Sequence, residues 1–405
     1  TLPDSQEQLP YALVPAAPSA GYRGSFVTID LDGDGVDEEV KYDEGHGGAS
    51  FLSVARIRDN QFYHLATRHL MSRGQICGAT DVTGDGTPEL IWLWQDTPET
   101  AHVYISEIPT EDASASLVKL HSLAFDTESG RLPNGEWGVG VGLGGVFDRD
   151  HDGTTDAIAI TVAAGITRVP REIVFWDLDA RGAAWRLPTG ATPTGRSTVV
   201  DVTGDSRAEL IIGLEAPGNR AEAGIWSDLH SYLIAVEDDG NVLWSRRLGG
   251  FASNIELAAA DLDEDGTTEV VTALNYHSQS DSIPPELAVW RGTDGALLDT
   301  LRTGFPANAV MIERCEQGNR IFAGSADGTL RRIKWEAGEM TVEAELDCGD
   351  AVEDVAAVEL TPLLDGWRLA VGTGTGKIAV LDERLKPLAM LNINETLDGA
   401  WRLRP

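Results

Sequence analysis

DLDGDGVDEEV, residues 30–40, returns four times: DVTGDGTPELI (81–91), DRDHDGTTDAI (148–158), DVTGDSRAELI (201–211) and DLDEDGTTEVV (261–271). Strand-like apolar runs flank each copy. The first aspartates stand 51, 67, 53 and 60 residues apart. That period is too long for one rung of a β-helix. It suits one four-stranded blade of a β-propeller per copy, with loops of variable length.

In the first copy Asp30, Asp32 and Asp34 hold positions 1, 3 and 5, Gly35 position 6, Val36 position 7 and Glu38 position 9. Calcium takes six to eight oxygens at about 2.3–2.6 Å. Three alternate carboxylates on a tight turn, the position-7 carbonyl and the position-9 acid supply such a set. Glycine at position 6 permits the positive φ of a sharp turn. The flanks are not helical and position 12 carries no Glu, so the motif is calcium on a β-hairpin rather than an EF-hand. The same positions are Asp81, Thr83, Asp85, Thr87 and Glu89 in the second copy, and Asp148, Asp150, Asp152, Thr154 and Asp156 in the third. They are Asp201, Thr203, Asp205, Arg207 and Glu209 in the fourth, and Asp261, Asp263, Asp265, Thr267 and Glu269 in the fifth. Threonine is a weaker neutral ligand, and Ser206 replaces the glycine, so the 201 loop ranks last. The alternative is a set of metal-free turns whose aspartates bond to their own backbone. Four bare carboxylates around one turn repel, which favours the cation in the loops at 30, 148 and 261.

The formal net charge of −34 argues against nucleic acid and anionic membrane as partners, since both repel it. Lysine is confined to Lys41, Lys119, Lys334, Lys377 and Lys386, a balance that fits either a saline habitat or a GC-rich genome. No apolar run reaches about 18 residues, so no membrane span is expected. No signal-peptide pattern is read in the sequence, and the start at Thr1 carries the expectation of a trimmed chain. Calcium loops of this kind fill most readily outside the cytoplasm, which suggests an extracytoplasmic location, periplasmic or cell surface. Cys77 reads as a buried thiol. Cys315 and Cys348 follow strands, and a disulfide between them is left open.

Residues 1–21 are proline-rich and polar and read as an extended arm. Blades are expected at about 22–69, 74–123, 140–188, 195–249, 254–303, 304–347 and 350–392, with residues 393–405 an exit segment. The last two lack acidic loops, but ANAVMIER, RIFAGS, GTLRRIKW and TVEAELD, then DVAAVEL, WRLAVGT, GKIAVLD and PLAMLNI, have strand length and hairpin turns between them. The expectation is an all-β, seven-bladed β-propeller of four-stranded antiparallel blades. GVGLGG (140–145) lacks the strand-turn-helix context of a dinucleotide site, and small residues on a crowded inner strand explain it better. GTGTGK (372–377) is followed by Ile378, where a phosphate loop needs Ser or Thr.

The acidic loops resemble the FG-GAP/VCBS repeats of integrin α-type propellers over residues 24–303. The last two blades look more like WD-type or quinoprotein-type blades. VPREIVFWDLD (169–179) and SDLHSYLIAVEDDGNVLWS (227–245) are similar to the propeller sensor regions of some bacterial sensor histidine kinases. That resemblance implies an extracytoplasmic sensor domain of a signalling receptor, here without kinase motifs.

Loops at the end opposite the acidic turns are long and carry His46, Arg168, Arg171, Trp226, His230, Tyr276 and His277. Such residues on one concave face suit a small polar or anionic molecule, a glycan or a protein ligand. A non-catalytic calcium-binding recognition domain is the leading expectation. The rivals are a calcium-dependent polysaccharide lyase, with Arg168 or Arg171 neutralising a uronate, and an adhesion module.

Overall fold

The structure, a computed structural model, describes residues 24–31, 38–44, 50–58, 61–70, 74–108, 117–164, 169–180, 182–193, 196–250, 252–276, 286–359 and 367–392. The proposed arm (1–21) and exit segment (393–405) lie outside the described residues. Every regular element among those described is a β-strand. Seven four-stranded antiparallel sheets form from consecutive strands, spanning 24–70, 74–126, 139–188, 197–247, 253–301, 307–347 and 352–392. A two-stranded hairpin, Glu222–Ala223 with Trp226–Ser227, stands between the second and third strands of sheet four.

The apolar pattern shows why the sheets stack. The second strand of sheet three, Ala157–Ala164 (AIAITVAA), is buried at every position. That of sheet four, Glu209–Leu214 (ELIIGL), is too. A mid-sheet strand covered on both faces has no wet side, so it reads as a continuous apolar run. Fourth strands such as Val118–Asp126 and Glu339–Asp347 alternate toward solvent. One apolar layer separates each sheet from the next. Ile91, Val103 and Phe125 of sheet two meet Val139, Val162 and Trp176 of sheet three. Phe175 shares a layer with Leu210 and Ile234, Leu233 with Val270, Leu287 with Ile321, and Phe322 with Leu369 in the layers that follow.

First strands of neighbouring sheets come closest. A Cβ on Gly145, the last residue of GVGLGG, would stand 2.3 Å from Val199 Cγ2. The glycine-rich stretch therefore serves close approach. Val199 is β-branched and cannot swing aside. Gly145→Ala is expected to lose roughly 1–3 kcal/mol of stability by overpacking. A urea midpoint equal to that of the parent chain would show that the two strands part freely.

The cysteines settle one open point. Cys315 closes the turn after the first strand of sheet six, and Cys348 follows that sheet's fourth strand at the opposite end. Nine residues at about 3.3 Å each separate the two ends, far beyond the roughly 7 Å Cα limit of a disulfide. Both are free and buried, and burial pushes each thiol up to about 11. Cys77 is pushed up to about 12 for the same reason.

Candidate functional site

Each acidic loop joins the first strand of its sheet to the second, and the described loops close by one set of hydrogen bonds. The position-9 acid accepts the backbone N–H of position 2: Leu31 on Glu38 (2.9 Å), Val82 on Glu89 (2.7 Å), Arg149 on Asp156 (2.6 Å), Val202 on Glu209 (2.9 Å) and Leu262 on Glu269 (2.9 Å). The position-1 aspartate accepts the N–H of position 6: Gly86 on Asp81, Gly153 on Asp148, Ser206 on Asp201 and Gly266 on Asp261, at 2.8–2.9 Å. The position-5 aspartate accepts the N–H of position 7: Thr87 on Asp85, Thr154 on Asp152, Arg207 on Asp205 and Thr267 on Asp265. This folds position 6 into the left-handed region, at φ 87°, 91° and 89° for Gly86, Gly153 and Gly266, and at 69° for the ill-suited Ser206. Asp32, Asp34 and Val36 lie outside the described residues.

Two loops bring three carboxylates together. Oxygens of Asp148, Asp150 and Asp156 lie within 4.8 Å of one another, as do those of Asp261, Asp263 and Asp265. Two oxygens on one calcium can be no more than about 5 Å apart, so both groups fit the ion. The sets differ from the five-position scheme. In the third loop Asp152 is held instead by the Thr154 hydroxyl at 2.6 Å, which keeps its carboxyl below the usual range. In the fifth loop Glu269 is buried behind the turn. In the threonine loops the position-3 hydroxyl is engaged internally, Thr83 with Glu89 and Thr203 with Asp201, both at 3.4 Å.

Burial, reinforced by neighbouring aspartates, pushes Glu209 and Glu269 up to about 7 from 4.5. A raised acid favours the fold while protonated. Its contribution is complete below about 4.5 and lost as pH rises through about 7. In chelator the urea midpoint is therefore expected to fall between pH 5 and 7.5, and to fall less in Glu209→Gln/Glu269→Gln. A midpoint that rises across this window in chelator would contradict the burial.

The loops also touch one another, which places the second to fifth at one end of the molecule. The Thr155 hydroxyl donates to the Asp81 carbonyl (3.3 Å), that of Thr268 to the Asp201 carbonyl (3.1 Å), and the Asn319 amide to the Asp261 carbonyl (2.6 Å). Where the fourth loop has Ala208 at this position, other groups take over. Asp238 holds both Arg149 (2.9 Å) and Arg207 (2.6 Å), and His151 Nε2 lies 2.9 Å from the Ser206 carbonyl. The position-8 threonine of DGTTD and DGTTE was a readable signal for these stitches. Asp238 had none.

The opposite end differs from the sequence-based expectation. His46, Arg168 and His277 lie outside the described residues. Arg171 is not a ligand contact in an open mouth but fully buried. It donates to Asp228 Oδ2 (3.0 Å), Asn219 Oδ1 (2.8 Å) and the carbonyls of Gly190 (2.8 Å) and Ala164 (3.3 Å). Trp226 is also buried, its indole N–H on Ser245 Oγ (3.0 Å). Together they fix the excursion 215–231 of sheet four. Its turn exposes Ile225 (75%), and Leu229 (44%) follows. His230 is half-buried beside Tyr232. The Tyr276 hydroxyl donates to Glu286 (3.0 Å), and burial with that carboxylate pushes it up to about 12.

No protein-family model and no curated protein sequence matches the chain. Solved structures do match in fold. Sqt1 of Saccharomyces cerevisiae is 11% identical, with 87% of this chain and 81% of that one covered and a TM-score of 0.52. Sqt1 of Chaetomium thermophilum, solved bound to the N-terminus of the ribosomal protein L10, is 13% identical, with 88% and 84% covered and a TM-score of 0.52. The rhamnogalacturonan lyase YesW is 15% identical over 93% of this chain and 74% of that one, at a TM-score of 0.46 that bears on no activity. The class these comparisons and the sheet order define is an all-β fold of the β-propeller type.

Proposed function

We propose that the seven sheets close into a seven-bladed ring with FG-GAP/VCBS-like acidic loops. We propose further that the chain is a non-catalytic, extracytoplasmic recognition domain, the sensor part of a signalling receptor. Its calcium would be held by Asp148, Asp150 and Asp156 and by Asp261, Asp263 and Asp265, where it would neutralise the clustered carboxylates. Free calcium outside the cytoplasm is high enough to fill weak sites.

The observation that carries this reading is the contrast between the two ends. One end knits acidic loops together. The other carries Val169, Ile225, Leu229 and Phe305 exposed, against Val118 and Leu297 at the acidic end, and its excursion is pinned by the buried Arg171–Asp228 pair. Exposed apolar residues that gather into one patch mark an interaction surface more often than a reaction centre. For the lyase alternative, Arg171 is committed to Asp228, which leaves Arg168, outside the described residues, as the candidate to meet a uronate.

The test is a glycan, metabolite and peptide screen on the calcium-loaded chain, followed by Ile225→Asp and His230→Ala. Binding lost in Ile225→Asp and kept in Asp148→Asn supports the reading. New unsaturated ends released from an acidic polysaccharide would replace it with the lyase.

A further inference from the structure

The sheets pack in chain order, so sheets five and six lie between four and seven. One side chain nevertheless joins four to seven directly. Arg196, the residue that leads into the first strand of sheet four (Ser197–Val200), places Nε 2.6 Å from Glu256 Oε2 and Nη2 3.4 Å from Asp354 Oδ1. Glu256 is on the first strand of sheet five, Ser253–Ala260, and Asp354 on the first strand of sheet seven, Val352–Glu359. Three first strands can share one guanidinium only if they line a common axis. Arg196 enters its strand at the end away from the Asp201 loop, so the contact sits at the mouth opposite the acidic turns.

We propose that Arg196 is a strut across the central channel, which closes this mouth and ties the last sheet to the ring. The proposal rests on the ring closure put forward above. A surface ion pair would not need what is built here. The Asp354 side chain is 5% exposed and that of Glu256 19%, so both acids are largely withdrawn from water, and a withdrawn carboxylate is costly without its partner. The Arg196 carbonyl accepts the Gly213 N–H (3.1 Å), which fixes the root of the side chain on sheet four. A planar guanidinium can serve acids in two directions, which a lysine ammonium on one stem does poorly. Asp350 and Glu353 stand nearby, each with an oxygen 3.5 Å from where a Gly374 Cβ would be, so the mouth is acidic beyond the two carboxylates that Arg196 neutralises.

Chemical rescue tests this. Arg196→Ala should lower the melting temperature by roughly 3 °C. Millimolar ethylguanidinium chloride should restore most of that loss, sodium chloride of equal ionic strength should not, neither should help the parent chain, and the rescue should be smaller in Arg196→Ala/Asp354→Asn, where Glu256 alone is left to hold the guanidinium. If Arg196→Ala does not fold, Arg196→Lys makes the same comparison, with a smaller loss expected. An unchanged melting temperature, or rescue undiminished by Asp354→Asn, overturns the strut. Small-angle scattering of the parent chain separates the two ideas. A compact ring with no loss in Arg196→Ala sinks the strut alone, whereas an elongated parent chain sinks the ring and the strut with it.

Discussion

Calcium added to the chelator-treated chain should raise its melting temperature, and Asp148→Asn/Asp150→Asn should remove about half of the rise. A cation that binds only the folded cage stabilises by mass action, roughly 2.7 kcal/mol per site at a hundredfold excess over Kd. The third and fifth loops each bring three carboxylates within 4.8 Å of one another. Two such sites together would contribute roughly 5 kcal/mol, comparable with the whole stability of many domains. The structure ranks the ligands within a loop. Asp150 belongs to the converging set and Asp152 is held by Thr154, so Asp150→Asn should weaken calcium binding more than Asp152→Asn. Magnesium should substitute poorly, because it demands a near-octahedral shell at about 2.0–2.1 Å that a loop of this span does not provide. Titration calorimetry with no heat, and melting curves unmoved by chelator, would remove calcium from the account.

The all-β class and the four-stranded antiparallel sheets were legible because each rests on short-range pattern. DLDEDGTTEVV contains its turn, its strand start and its spacing to the next copy within eleven residues. AIAITVAA and ELIIGL carry their double-sided burial in an unbroken apolar run. What was not legible depends on partners far along the chain. Nothing beside Arg196 signals Asp354, 158 residues later, and nothing beside Arg149 signals Asp238. The position-9 acids are a middle case. Their residue type was read as a metal ligand, yet Glu209 and Glu269 are buried behind the turn with an N–H on the same carboxylate. Arg171 and Trp226 read as ligand contacts in the sequence because aromatic, His and Arg residues on one concave face suit recognition. In sheets three and four the loops instead fold over those side chains.

Arg171→Met should be the most damaging single substitution at the end opposite the acidic loops, with a stability loss of about 3–5 kcal/mol, because it strands a buried carboxylate. The Arg171–Asp228 pair is withdrawn from water on both sides, 0% exposed each. Asp228 keeps the N–H groups of Asn219 and Arg220, both at 2.8 Å, but loses the Arg171 guanidinium. The guanidinium also ties Gly190 and Ala164 to the excursion, so Arg171→Lys, which keeps charge and loses the fork, should recover only part of the loss. Arg384→Met offers the contrast. Its pair with Glu316 is 67% and 71% exposed, and such pairs contribute about 0–1 kcal/mol. Hydrogen exchange should show where the Arg171 effect falls, with protection lost across 218–231 before the sheets open. A urea midpoint near that of the parent chain, with 218–231 still protected, would show that the excursion holds itself without Arg171. Under the proposed recognition role, loss of binding in an Arg171 variant would report collapse of the excursion that carries Ile225, and a direct contact would be sought in side chains such as Ile225 and His230 that reach the surface.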